Sequence, residues 1–197
     1  SLLIGELVQS GKDVLITEHA FAPEYSANVR YGRFCVQFAT FRNTEEGKRV
    51  LNWWQERCIE WCYAREEDGK FGDQKYLDQW PTLFAAQVHI LSRTDRTLAP
   101  WNVQHRSRGG VPVRPVLYHF HGLKIVSSRR VVLYFMYFIG RRNLWIYKRY
   151  VSAMREAARE MRRLGIPVVG HPLQGGQVRP WTFVRALLKG QANWATI

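Results

Sequence analysis

Two short stretches of this 197-residue chain carry side chains whose types and spacing could do chemistry. In the first, Phe71-Gly72-Asp73-Gln74-Lys75-Tyr76-Leu77-Asp78-Gln79-Trp80, a glycine and an acid-amide pair precede an amphipathic turn of Tyr76, Leu77 and Trp80. That order ends a loop and starts a helix with the Asp73 carboxylate at its mouth, where it would cap free N–H groups and meet the positive end of the helix dipole. In the second, Tyr118-His119-Phe120-His121-Gly122-Leu123-Lys124, two imidazoles close on a glycine and a lysine. A carboxylate, an imidazole and an ammonium together suit a metal-diphosphate site. Each residue also has a plainer reading, Asp73 as a helix cap and nothing more and His119 as a hydrogen-bonded core histidine. If the second stretch is extended, His121 alternates to the face opposite His119.

Periodicity and punctuation outline the elements that must position these stretches. Residues 2–7 read as the tail of a helix, and residues 13–19 as a β-branched strand broken by Ala22-Pro23-Glu24. Residues 33–41 keep Phe34, Val36 and Phe38 on one face, as a buried strand would. Asn43 with Glu46 three residues on is a capping signature, and Val50, Leu51, Trp54, Cys58 and Cys62 follow at helical spacing, predicting a helix over about 44–63. A charged loop, 65–70, then delivers the chain to Asp73. Further strands are expected at 87–91 and 115–120, the latter ending at the imidazoles, and Gly109-Gly110, between Val103-Gln104-His105 and Val111-Pro112-Val113, reads as the turn of a hairpin. Residues 131–139 read as a buried strand or helix. The longest helix is expected over 144–164, with Ile146, Tyr150, Ala153, Met154, Ala157 and Met161 on one side and Gly165-Ile166-Pro167 as its stop; a short helix over 180–188 should close at Gly190.

The length and a hydrophobic content of 46% allow one sizeable core, so residues 1–197 are expected to form a single α/β domain, a mixed sheet with helices. The charge is unevenly placed. Residues 1–100 carry 12 Lys and Arg against 14 Asp and Glu, whereas residues 101–197 carry 17 against 2. Such asymmetry points to an anionic partner: a phosphorylated substrate, acidic lipid headgroups or nucleic acid. Arg contributes 22 of the 29 basic residues, which favours planar bidentate contacts with phosphate. The basic face of the helix after Leu144 could instead rest on an acidic membrane surface. No recognised nucleic-acid motif accompanies the charge, so no specific nucleic-acid partner is expected. Cys35, Cys58 and Cys62 make neither a disulfide framework nor a zinc pattern, which fits the reducing compartment of a cytoplasmic protein, at most peripheral to the inner membrane; Cys58 and Cys62, four apart on one helical face, read as small buried hydrophobes. The longest apolar run, 131–139, is too short to span a bilayer.

Several motifs, taken in order, resemble bacterial nucleotide-sugar glycosyltransferases of the GT-A type, the glycogenin and lipopolysaccharide-galactosyltransferase class. They are Tyr31-Gly32-Arg33-Phe34, Phe41-Arg42-Asn43-Thr44, Trp53-Trp54, Gly72 to Leu77, Ala99-Pro100-Trp101-Asn102 and His119-Phe120-His121-Gly122-x-Lys124. The resemblance implies the acceptor-side part of a GT-A fold and a retaining transfer of a sugar from a nucleoside diphosphate to a glycan or lipid-linked acceptor. It also implies a divalent cation, Mn or Mg, at the leaving diphosphate. By that likeness His119 is a metal ligand, Gly122 and Lys124 approach the diphosphate, Asp73 and Gln74 face the donor sugar, and Asn102 lines the same cleft. The Asp-x-Asp triplet of such enzymes is absent from this sequence. The chain is therefore expected to be the carboxy-terminal part of a transferase, with an incomplete cation site and little activity by itself.

Overall fold

The computed structural model describes residues 2–171 and 180–197. The described residues are mixed α/β, with two small three-stranded sheets and helices, and they gather into two compact units. The first takes the chain up to Leu98 and returns for Arg114–Leu117; the second takes Ala99–Val113 and the described residues from Tyr118 to Ile197.

In the first unit, α1 (Leu2–Ser10) buries Leu3 and Leu7, one helical turn apart, and leaves Leu2, Ile4 and Val8 exposed. Strand β1 (Val14–Glu18) is the centre of the sheet. It runs antiparallel to β2 (Phe34–Phe41) and parallel to β3 (Val88–Ile90). Alternate β1 side chains serve opposite cores: Val14 and Ile16 pack with Phe34, Val50, Leu77, Trp80, Phe84 and Val88, and Leu15 with Leu3, Leu7 and Leu91. A strand covered on both faces has no polar side to show, hence its unbroken apolar run. The expected single face of β2 is split. The register with β1 shifts between Leu15↔Thr40 and Thr17↔Cys35, and this irregularity breaks the two-residue alternation. Phe34 and Val36 accordingly pack on one core and Phe38 on the other.

Helix α2 (Glu45–Glu60) is capped by Thr44, whose hydroxyl accepts from the Gly47 N–H at 3.0 Å, so the expected Asn43–Glu46 cap lies one residue early. Gly47 is needed there, because a Cβ would collide with the Arg42 carbonyl. The helix stops at Glu60, short of the expected Tyr63, at an extended Trp61. Two contacts draw Trp61 out of the helix: its indole N–H donates to Glu67 Oε1 at 3.2 Å, and Tyr76 OH donates to its carbonyl at 2.8 Å. A 3-10 helix, Gln74–Gln79, then leads into the single turn α3 (Trp80–Leu83).

The two-residue strands β4 (Thr97–Leu98) and β5 (Leu117–Tyr118) pair with each other. Between them, the expected hairpin at Gly109-Gly110 is replaced by the helical turn α4 (Val103–Arg106) and a 3-10 turn over Arg108–Gly110. The Ala99 carbonyl accepts from the N–H groups of both Asn102 and Val103, which starts a helix where a strand was expected.

In the second unit, β7 (Arg130–Phe135) is the centre of an antiparallel sheet between β6 (Lys124–Ser127) and β8 (Ala192–Thr196). Helix α5 (Leu144–Arg163) buries Ile146, Tyr147, Val151 and Ala158; Tyr150, Ala153 and Ala157, expected inside, are exposed. Tyr147 decides this rotation, because its ring packs among Tyr118, Phe120 and Tyr134. Both α5 and α6 (Pro180–Leu188) end in Schellman motifs at the expected glycines. Ile166 N–H donates to Met161 O and Gly165 N–H to Arg162 O, and likewise Gln191 to Ala186 and Gly190 to Leu187. No helix of the described residues is long and apolar enough to cross a membrane.

Candidate functional site

The second unit gathers four rings into one cluster. Trp101, which is 3% exposed, is 5.5 Å from His119 and 5.4 Å from His121, centroid to centroid, and Tyr137 closes on His121 at 5.8 Å. A turn makes this possible. Leu123 N–H donates to Phe120 O at 3.1 Å and Gly122 has φ +77°, the combination of a type II turn with glycine at its third position. The strand ends before that turn, so the alternation expected to part the two imidazoles does not extend to His121, and their rings stand 5.6 Å apart. Phe120, between them in sequence, stacks on Tyr150 at 4.1 Å and anchors the turn to α5.

Asn102 is buried at 2% exposure. Its Oδ1 accepts from Ala99 N–H at 2.9 Å, while its own N–H donates back to Ala99 O, so the residue holds the loop that presents Trp101. Gly122, Lys124 and His121 line a pocket of about 440 Å³ together with Leu123, Val132, Phe135, Met136, Tyr137 and Phe183. Met136 adopts φ +65°, a conformation rare for a residue with a Cβ, where the chain turns out of β7 beside this pocket.

Electrostatics keep both imidazoles neutral at neutral pH. Burial lowers the pKa of His119 to about 4, helped by the neighbouring His121. Burial away from water, then the Lys124 charge, hold the pKa of His121 below its ordinary value. A neutral imidazole offers one N–H donor and one bare nitrogen, able to bond a hydroxyl or phosphate oxygen or to ligate a metal.

Asp73 and Gln74 belong to the first unit. Asp73 precedes the 3-10 helix, but its backbone is helical (φ −86°, ψ −29°) and its side chain caps nothing, contrary to the expected helix cap. Its carbonyl instead accepts from Trp54 Nε1 at 2.9 Å. Gln74 Nε2 donates to Tyr31 O at 3.2 Å, and its Cγ lies close under Gly32. Asp78, not singled out from the sequence, organises this corner. Its Oδ1 accepts from the N–H groups of Arg33 and Phe34 at 2.8 and 3.4 Å, and its Oδ2 pairs with Lys75 at 2.9 Å. The structure thus groups the six candidate residues by unit, Asp73 with Gln74 and Asn102 with His119, Gly122 and Lys124. His121, Trp101 and Tyr137 join the second group; the signal for His121 was Gly122, which favours a turn over an extended strand.

Among the described residues, no group of three or more His, Cys, Asp or Glu could hold a metal ion. An imidazole pair without a carboxylate is a poor match for a hard, oxygen-seeking cation such as Mg, so these residues do not make a cage for it.

No family model matches the chain, and no solved structure matches it. Two proteins of Bacillus subtilis (strain 168) are similar to it. Uncharacterized protein YfnD is 28% identical over 132 residues, covering 62% of this chain and 42% of that protein. Uncharacterized protein YfnF is 34% identical over 108 residues, covering 51% of this chain and 35% of that protein. The matched region thus spans less than half the length of either relative.

Proposed function

We propose that this chain is the acceptor-side part of a GT-A-type glycosyltransferase that moves a sugar from a nucleoside diphosphate to a glycan or lipid-linked acceptor. The observation that carries the reading is the pair of neutral imidazoles, 5.6 Å apart on the Trp101 ring, beside the Gly122 turn and Lys124. Departure of a nucleoside diphosphate builds negative charge on phosphate oxygens, and groups fixed in place before the reaction stabilise that charge most. Lys124 supplies a cation there, and the imidazole N–H groups supply hydrogen bonds without the cost of burying a second charge. The aromatic walls give a sugar ring a surface to rest on. The order of the motifs along the chain adds support, and the excess of basic residues after residue 100 suits a doubly charged ligand.

Calorimetric titration of the chain with nucleoside diphosphates, against duplex DNA as competitor, tests the reading. Binding should weaken as salt rises, and Lys124→Ala should cost about tenfold in affinity, or about 1.4 kcal/mol. Absence of any nucleoside diphosphate binding down to about millimolar affinity, with duplex DNA bound instead, would sink it.

A further inference from the structure

Helix α6 is apolar on both sides. Inward, Ala186 is buried and Phe183 stacks on Phe135 of β7, with ring centroids 5.9 Å apart. Outward, Trp181, Val184 and Leu188 are 72%, 42% and 81% exposed. Their spacing of i, i+3 and i+7 places them in one stripe. Arg185 is exposed one turn after Trp181, and Lys189 follows Leu188 at the surface. There is no Asp or Glu between residues 180 and 197. The Schellman bonds at Gly190 fix the last turn, so Leu188 is presented by an ordered helix end.

From this stripe we infer that α6 is a membrane-surface contact, resting Trp181, Val184 and Leu188 in the headgroup boundary of an anionic bilayer with Arg185 and Lys189 on lipid phosphates. Trp favours that boundary, and paired apolar and cationic side chains on one helix suit it. Charge argues against a second copy of the chain as the occupant. Residues 101–197 hold 17 basic residues against 2 acidic ones, so two such faces would meet with like charge. An anionic bilayer turns the same charge into attraction. The basic helix α5 is less suited to the contact, since Arg155 donates to Thr196 O, Arg162 to Ser128 O, and Arg163 pairs with Glu160. This inference does not depend on the transferase reading.

Co-sedimentation of the 197-residue chain with phosphatidylglycerol/phosphatidylcholine vesicles, and with phosphatidylcholine alone, tests it. The chain should bind the anionic vesicles, less at high salt. Arg185→Gln with Lys189→Gln should lower the affinity by about fivefold for each charge removed. Trp181→Ser with Leu188→Ser, both at exposed positions, should lower it at least about tenfold, because two large apolar groups no longer leave water. Circular dichroism checks that each variant is folded. Quenching by brominated lipid should fall in Trp181→Phe. Equal vesicle binding by a folded Trp181/Leu188 variant and the parent chain overturns the proposal, as does failure of the parent to bind anionic vesicles. So does a dimer in sedimentation equilibrium that Leu188→Ser dissociates, which would make a second copy the occupant.

Discussion

The rings of His119 and His121 stand 5.6 Å apart because Gly122 turns the chain between Phe120 and Leu123, and Trp101 is packed against both of them. Two residues that an extended strand would point to opposite faces therefore share one environment, and that environment disfavours their protonated forms.

A pH dependence follows. The pKa of His119 falls from 6.5 to about 4 on folding, so between these values the unfolded chain takes up a proton that the folded chain refuses. Stability should be lost as pH falls from about 6.5 towards 4, with His121 adding in the same direction. Thermal melts across that window check it, and His119→Gln should flatten the profile. In NMR titrations, the His119 ring signals should not move until the solution is well below pH 6.

Asp78 ties the start of β2 to the 3-10 helix by accepting two backbone N–H groups. Removing it leaves those donors without their partner, so Asp78→Ala should cost about 1–3 kcal/mol in urea denaturation. Asp78→Asn keeps one acceptor oxygen and should cost less. Equal losses for the two variants would mean that the hydrogen bonds are not what matters.

Gly122 and Gly140 differ in both backbone strain and collision. Both have positive φ, +77° and +76°; in the left-handed helical region alanine carries a penalty of about 1–2 kcal/mol, and Gly140, with ψ +143°, lies outside that region where a residue with a Cβ is worse placed still. At Gly122 a Cβ meets nothing nearer than Phe135 N at 4.0 Å, whereas at Gly140 it would collide with the Gln104 side chain. Gln104 Oε1 accepts from Asn143 Nδ2, a buried amide that also bonds Ser107 and Ile139. Gly140→Ala should therefore destabilise the fold clearly more than Gly122→Ala, measured side by side in denaturant.

Trp80 is fully buried among Phe41, Trp54 and Leu77, yet its indole N–H has no hydrogen-bond partner among the described residues. Trp80→Ala should cost about 3–5 kcal/mol through the cavity it leaves. Trp80→Phe loses volume but also removes an unpaired buried donor, so its cost should be well under half of that. Denaturant midpoints of the two variants decide the point.

Local chemistry in the sequence determined the features that need only near neighbours. The glycines at 165 and 190 stop α5 and α6 because an L residue resists the left-handed conformation of a Schellman cap, and the apolar run of β1 is that of a strand covered on both sides. Motif spacing likewise singled out the stretch around His119, Gly122 and Lys124. Tertiary structure decided what depends on partners far along the chain. Helix α5 turned its Tyr147 face inward because Tyr118, Phe120 and Tyr134 wait there, and α2 ended early because Glu67 and Tyr76 hold Trp61. The irregular register of β2 moved Phe38 to the other core. His121 shares one cluster with His119 because Trp101, from far along the chain, packs against both rings and Tyr137 packs against His121. Side-chain periodicity describes one element at a time, whereas the face that is finally buried is set by the surfaces that meet it.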